Sequence, residues 1–497
     1  MQSSLSDRAG FLIVANLVKY AVGFIMPMVL VRLLSQSDYG SYQQIVLVSN
    51  VAVSILSLGL PASIYYFYHF SNARAIPALL LQTFLMLIAT GALATLVMFF
   101  NAKYIATGFN NPAIAGLLKI QAFSLIMMVG SEHCLHFMIA QNRYKLAVTF
   151  EIVETLVRVA TLILPLFLGY GLSGLVVGAL VYAAMRFCVR NFFLLTRSCF
   201  SYRNWRNHIF PGRQLAYSLP GGLVVVTSTI GNTVNRSVVA TSLSATSYAI
   251  YSVGALEIPL DSILQASVAN VLRASLPPLV RDANLTEVVR LLRESTRKLS
   301  IIILPSFVFL YGFSYDFIIL LFTSAYIGSV NIFRIYLWLM PLQMLILSLV
   351  PQVFGKPRVN FYLACVTTFL LIGLSYALFK IVGFYGPALA AVISQYIQAT
   401  VYIVIACRLT KVSYDQLLPL WHFIRVLAAA GGGLLIARLT DGILPNRSIM
   451  TLLLAGGVFS FGFFFVAWPL RVFSSQDIVL VKRWLGRNLS LSARTPR

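Results

Sequence analysis

Apolar residues in this chain come in long runs. They show neither the alternation of half-buried strands nor the one-sided stripe of soluble helices. Each run is about long enough to cross ~30 Å of hydrocarbon as a helix. The runs fall at about 11–34, 42–66, 77–100, 113–140, 146–168, 171–195, 214–240, 247–273, 298–316, 330–352, 359–380, 385–408, 420–438 and 449–470. The pattern predicts an all-α integral membrane protein with about 14 transmembrane helices. The first run, about Phe11 to Leu34, is too long for the apolar core of a signal peptide and reads as a span. The gaps are short, which leaves no room for a sizeable extramembrane domain, so function must reside inside the bundle. The longest gaps are about 196–213 and about 274–297. The second contains Pro277-Pro278 and leads into an amphipathic stretch, Leu285 to Leu299, expected to lie on the inner membrane surface.

The charges give these spans a direction. Lys and Arg collect in every second gap, which places both termini in the cytoplasm. One inner gap gathers Arg186, Arg190, Arg197, Arg203, Arg206 and Arg213, and another Arg273, Arg281, Arg290, Arg293, Arg297 and Lys298. The C-terminal tail adds Arg471, Lys482, Arg483, Arg487, Arg494 and Arg497. Only 10% of the 497 residues are charged, yet the net charge is +23. In a soluble protein that excess would suggest a nucleic-acid partner. Here it is the topogenic bias of cytoplasmic loops and a contact surface for the lipid bilayer, and no nucleic-acid partner is expected. Cys134, Cys188, Cys199, Cys365 and Cys407 have no metal or redox spacing. No metal and no cofactor is expected.

The chain repeats itself. Residues 34–42 read LSQSDYGSY and residues 243–251 read LSATSYAIY, at an offset of 209. At an offset of 215, Tyr170-Gly171 matches Tyr385-Gly386, Arg143 matches Arg358, and Lys119 matches Arg334. Each element recurs six spans later, an even number, so the halves share an orientation and are parallel repeats. The domain organisation follows: 1–205 and 206–410 as two six-helix lobes, 411–470 as two additional helices, and 471–497 as a basic cytoplasmic tail.

The stretch Asn16 to Pro61 contains the turn Arg32-Leu33-Leu34-Ser35, followed by Asp38, Tyr39, Gly40 and Tyr42. It resembles the opening of polysaccharide-transporter flippases in the multidrug/oligosaccharidyl-lipid/polysaccharide exporter superfamily. Tyr170, Gly171 and Gly174, at the start of the sixth span, are similar to that family too, whereas the copy at Tyr385-Gly386 continues as Pro387-Ala388-Leu389 and departs from it. The resemblance implies a V-shaped two-lobe transporter working by alternating access in a bacterial inner membrane. It implies as cargo an undecaprenyl-pyrophosphate-linked oligosaccharide for O-antigen, capsule or exopolysaccharide synthesis, with a polysaccharide polymerase as candidate partner. Such a cargo requires a hydrated cationic cavity, aromatic surfaces for sugars and a lateral opening for the polyprenyl tail.

Ionisable residues inside spans mark cavities or pairs. Lys19 in the first span is a candidate cargo cation, or a pairing residue. Pro27 in the same span permits bending. Lys119 and Arg334 are repeat equivalents expected to face an outer vestibule, or to reach the headgroups. Arg32 and Arg236, near the outer ends of the first span of each half, are candidates for cargo contact; Arg32 has Asp38 six residues on, so a local structural role is the alternative, and Arg236 has no nearby acid in sequence, which favours a ligand role. Arg158, near the middle of the fifth span, is a further candidate for cargo contact; it shares a helical face with Glu154, so an i,i+4 pair is the simplest account. Glu257 and Asp261, one turn apart, are candidates for coupling to H+ or Na+. Glu132, His133 and His136 form a further polar cluster whose spacing is a weak metal signal. Three other readings remain open at this point: a lipid II flippase, a drug/cation antiporter of the same superfamily, and a membrane glycan polymerase or transferase. The last would need an extended outer loop, and every outer gap here is short. No phosphate-binding loop for ATP is present in the sequence.

Overall fold

The computed structural model describes residues 5–70, 75–197, 210–441 and 448–474. Every regular element among them is helical. In chain order these are α1 (Leu5–Leu33), α2 (Gln36–Leu56), α3 (Leu60–Phe70), α4 (Ile76–Phe100), α5 (Ala102–Gly108), α6 (Ala115–Gly130), α7 (His133–Ala140), α8 (Tyr144–Phe167) and α9 (Gly171–Arg197). Then come α10 (Pro211–Ser242), α11 (Ala245–Gly254), α12 (Pro259–Arg281), α13 (Leu285–Gly312), α14 (Ser314–Phe322), α15 (Ser329–Leu337), α16 (Met340–Gln343) and α17 (Leu349–Val353). The last described elements are α18 (Arg358–Val382), α19 (Gly386–Thr410), α20 (Tyr414–Leu417), α21 (Leu420–Asp441) and α22 (Ile449–Ala467).

The molecule is an all-α multi-pass membrane protein. By length and apolarity, seven helical segments among the described residues could cross a bilayer, or up to eight if α13 and α14, bent by 74° at Phe313, count as one. Two of those segments, 36–70 and 358–410, each hold two helices. Helices such as α8, which carries Lys145, Glu151, Glu154 and Arg158, are more polar. Glu151, Glu154 and Arg158 turn to a cavity shared with α1 and α9, where charge is tolerated, as described below.

Several predicted spans are interrupted. The second breaks at Ser57–Gly59, where Leu58 and Gly59 have φ of 49° and 68°. The fourth breaks between α6 and α7, and the eighth at Ala255–Ile258, just before Pro259. The tenth is the chain of short helices α15 to α17. A broken helix is stable at membrane depth only where its freed backbone groups are buried or line a cavity. At the 215-residue offset, the Ser131 break falls on the non-helical stretch around Ile346. The 209-residue match is equally concrete. Ser35 and Ser244 are both N-caps, with φ/ψ of −64°/159° and −69°/159°, accepting from the backbone N–H of Asp38 and Ser247. The matched tyrosines, Tyr39 with Tyr248 and Tyr42 with Tyr251, are all buried.

Residues 1–257 with 361–394 form one compact unit, and residues 258–360 with 395–497 another. The predicted lobe boundary at 205/206, Cys199, Arg203 and Arg206 lie outside the described residues, as does the tail beyond 474 with Lys482, Arg483, Arg487, Arg494 and Arg497. In the first unit the two matched turns touch. Gly40 packs so closely on Ala245 that a Cβ there would overlap the Ala245 carbonyl. A buried amide cluster ties α10 to α3 and α4: Gln214 Nε2 donates to Ser63 Oγ (2.8 Å) and Thr83 Oγ1 (2.7 Å), and Gln82 Nε2 donates to Gln214 Oε1.

In the second unit the expectation for Leu285 to Leu299 is corrected. This stretch is the first half of the single helix α13, and Val288, Val289, Leu292 and Leu299 are buried against protein rather than laid on lipid. Its polar face carries an i,i+3/i+4 ladder of Glu287, Arg290, Glu294 and Lys298. Arg293 reaches from it to the carbonyls of Asp415 (3.0 Å) and Gln416 (2.7 Å).

Candidate functional site

Three helices of the first unit carry polar residues at helical spacing. On α8, Glu151, Glu154, Thr155 and Arg158 share one face with Val159 and Leu162; on α9, Tyr182, Arg186 and Arg190 do; on α1, Lys19, Gly23, Met26, Pro27 and Leu30 do. These stripes turn inward around a cavity of about 470 Å³ that α2 closes with Tyr42, Gln43 and Val46. Met128 of α6, Glu132 in the break and Leu135 of α7 complete the wall. The break between α6 and α7 frees the Ser131 carbonyl, which accepts from Arg190 Nη1 at 3.1 Å.

The seven charges of this cavity fall into two classes. Arg190 grips Glu154 with two hydrogen bonds, at 2.7 and 2.6 Å, and is 2% exposed. Arg186, 9% exposed, holds Glu132 at 2.6 Å and lies 4.0 Å from Glu154. Both arginines are buried, and Arg190 holds Glu154 in the bidentate guanidinium–carboxylate geometry, the strongest such pairing, while Arg186 holds Glu132 by a single hydrogen bond. The second class is open to the cavity. Lys19 meets Glu151 at 3.1 Å, with side-chain exposures of 50% and 23%. An ion pair that wet contributes about 1 kcal/mol or less and is readily displaced. Arg158 is exposed and hydrogen-bonds the Tyr42 hydroxyl; among the described residues no carboxylate lies within ion-pair distance of it. Counting the four cations against Glu132, Glu151 and Glu154, the cavity holds one positive charge in excess. That excess sits at Arg158.

The structure brings Lys19 and Arg158 together in one cavity. It changes the partner expected for Arg158: Glu154, though on the same face of α8, turns to Arg190 and Arg186 of α9. It also corrects the placement of Arg186 and Arg190 in a polar gap, since both lie well inside α9. Two signals in the sequence could have found them: the Tyr182-Arg186-Arg190 spacing, and three span glutamates in want of partners.

The other candidate residues lie elsewhere. Arg32 donates to the Met28 carbonyl at 2.7 Å, while Asp38 accepts from the Ser35 hydroxyl at 2.7 Å. Arg236 donates to the Ala255 carbonyl at 3.2 Å, in the break after α11. Lys119 sits 5.4 Å above the Phe99 ring. In the second unit its repeat equivalent, Arg334, lies 5.8 Å above Tyr311 and donates to Ser314 Oγ at 2.7 Å. Glu257 and Asp261 do not share a helical face, because the helix is unwound at Glu257 and restarts at Pro259, with Asp261 in the first turn of α12. Asp261 is 3% exposed and, among the described residues, its Oδ1 has no hydrogen-bond partner. His136 Nδ1 lies 3.1 Å from the Glu132 carbonyl oxygen, so the Glu132 carboxylate is left to Arg186. Among the described residues no three His, Cys, Asp or Glu side chains are grouped to hold a metal ion.

Comparison with known proteins places this geometry. Residues 29–331 match a protein family described as polysaccharide biosynthesis protein. No curated protein matches the sequence. Among solved structures, the lipid II flippase MurJ in an inward closed conformation superposes with a TM-score of 0.69, at 16% identity over 92% of this chain and 98% of that one. An inward-facing multidrug resistance MATE transporter of the MOP superfamily gives 0.61, at 13% identity over 80% and 96%. A MOP superfamily transporter from Pyrococcus furiosus gives 0.55, at 13% identity over 81% and 94%. At these identities the likeness is one of fold.

Proposed function

The chain belongs to the polysaccharide biosynthesis protein family, and from that premise we propose that it is a flippase for a polyprenyl-pyrophosphate-linked oligosaccharide, carried by alternating access from the cytoplasmic to the periplasmic leaflet of a bacterial inner membrane. The observation that carries the reading is the cavity of the first unit. Its buried cations are neutralised by Glu132 and Glu154, whereas Arg158 and the displaceable Lys19 face the open space. An anionic group entering there meets Arg158, which has no carboxylate partner among the described residues, and Lys19, which can exchange Glu151 for it. Placing a positive centre at membrane depth is costly and would select for an anionic cargo. A drug cation would be repelled by the same excess charge.

In this reading both termini are cytoplasmic, from the Lys/Arg bias of alternate gaps. The broken second, fourth, eighth and tenth spans supply the bending points of the cycle, and a polysaccharide polymerase is a candidate partner. The protein itself makes or breaks no glycosidic bond. Coupling to H+ or Na+ is assigned to Asp261, buried with one unpartnered oxygen at a helix start that follows a break. Glu257 on its unwound segment is the secondary candidate. Lys119, Arg334, Arg32 and Arg236 have protein contacts that account for them and are assigned structural roles.

The test is reconstitution of the purified protein in proteoliposomes with a fluorescent polyprenyl-pyrophosphate oligosaccharide. Protein-dependent change of leaflet, without ATP and with glycan length unchanged, is expected. A lengthened or transferred glycan would mean an enzyme instead.

A further inference from the structure

A cavity of about 470 Å³ accommodates one drug-sized group. A pyrophosphate with the first sugar fills such a space, so on the reading above the rest of the glycan must lie on a surface continuous with it. One wall leads outward. The ring of Tyr65 of α3 lies 5.3 Å from that of His136, the neighbour in sequence of the cavity's Leu135. From there the exposed face of α3 runs at helical spacing through Ala62, Tyr65, Tyr66, His69 and Phe70. Across from it, Tyr217 of α10 stacks on Tyr66, with centroids 4.5 Å apart and planes at 21°. Phe70 stacks on Tyr66 as well, at 4.5 Å and 29°. The three rings are exposed to 40% (Tyr66), 49% (Tyr217) and 75% (Phe70).

We infer that Tyr66, Phe70 and Tyr217 form an aromatic ledge that binds the sugar rings of the cargo, a glycan subsite beside the anion subsite of Lys19 and Arg158. Three observations support this. Phe70 and Tyr217 cover the two faces of Tyr66, so the outer faces of Phe70 and Tyr217 are the ones open to a ligand; the C–H face of a pyranose is apolar and packs flat on such a face, and the tyrosines add hydroxyls at the rim for the sugar's own hydroxyls. The rings are held in fixed positions before any ligand arrives: Phe67 wedges between Tyr217 (5.5 Å) and Phe210 (5.3 Å), and the Gln214 cluster anchors α10 beneath them. The ledge also carries no charge, which suits a neutral sugar adjoining a charged cavity and leaves recognition of the pyrophosphate to the cations. The inference rests on the proposed function, and the experiment separates the two.

The probes are a polyprenyl pyrophosphate and the same lipid bearing a neutral disaccharide, with dissociation constants measured on the full-length protein in nanodiscs. The wild type is expected to bind the sugar-bearing lipid about tenfold tighter. Tyr66→Ala combined with Tyr217→Ala should bring that ratio close to one, and Tyr66→Phe should preserve it. Phe70→Ala, at a largely exposed ring, should reduce the ratio in part and serves if the double variant misfolds. If both lipids weaken equally in the alanine variants, the rings only hold α3 to α10 or anchor the protein at the membrane interface, and the ledge is refuted. If the wild type binds the bare lipid and the sugar adds nothing, the ledge alone falls. If neither lipid binds, the proposed function falls and the ledge with it.

Discussion

Four cations line one cavity, but they do different work. Arg158→Gln removes the one without a carboxylate partner, so pyrophosphate binding should weaken about ten- to hundredfold, the range for a hydrogen bond to a charged group. Thermal unfolding should barely move, because the side chain is exposed. Glu154→Gln should show the opposite pattern. It leaves Arg190 buried with an uncompensated charge, which costs about 3 kcal/mol or more and should appear as a lowered unfolding midpoint. Equal effects of the two variants on binding and stability would contradict the division. Lys19 was legible in the sequence because an isolated lysine in an apolar run has few explanations. The roles of Arg186 and Arg190 were not, because arginines near a span end look like topogenic charge until the acids on neighbouring helices are located. Pairing across helices is a tertiary fact; an i,i+4 spacing such as Glu154/Arg158 suggests a local pair that tertiary geometry overrides.

Helices here are shaped by their interruptions and close approaches. Gly40 sits where the two repeat turns meet, and no side chain fits between it and Ala245. Gly40→Val should force α2 from α11 and lower stability by about 1–3 kcal/mol, measurable as loss of the folded fraction in detergent. Gln214→Leu should also destabilise, by about 1–3 kcal/mol for each partner left unsatisfied, since it empties the centre of the cluster with Gln82, Ser63 and Thr83. A Gln214→Leu protein as stable as the wild type would refute that role. Hydropathy reveals that a segment is apolar enough to span and is blind to a one-turn break inside it. Hence the second, fourth, eighth and tenth spans read as continuous, although Pro259 and the Leu58-Gly59 pair were visible in the sequence. The interruption at Ala255–Ile258 means that Glu257 and Asp261 are not one turn apart on a continuous helix, which their spacing alone could not show. Asp261→Asn should abolish the dependence of transport on an imposed ion gradient; unchanged dependence would remove the residue from the coupling step.

At the scale of the molecule, long apolar runs made the all-α membrane fold readable, and the Ser35–Tyr42 turn made the family readable. The cavity was not readable, because it takes residues from five stretches of chain between Lys19 and Arg190 that only packing brings together. The central proposal joins the two: in a family fold, Arg158, exposed in the first unit and without a carboxylate partner among the described residues, is proposed to bind the anionic group of a lipid-linked glycan. The most direct test compares wild type and Arg158→Gln, at matched reconstitution, for translocation of a fluorescent polyprenyl-pyrophosphate oligosaccharide across proteoliposome leaflets. The account predicts ATP-independent movement by the wild type and a loss of about tenfold or more in the variant. Equal rates in the two proteins, or no movement by the wild type, would contradict it.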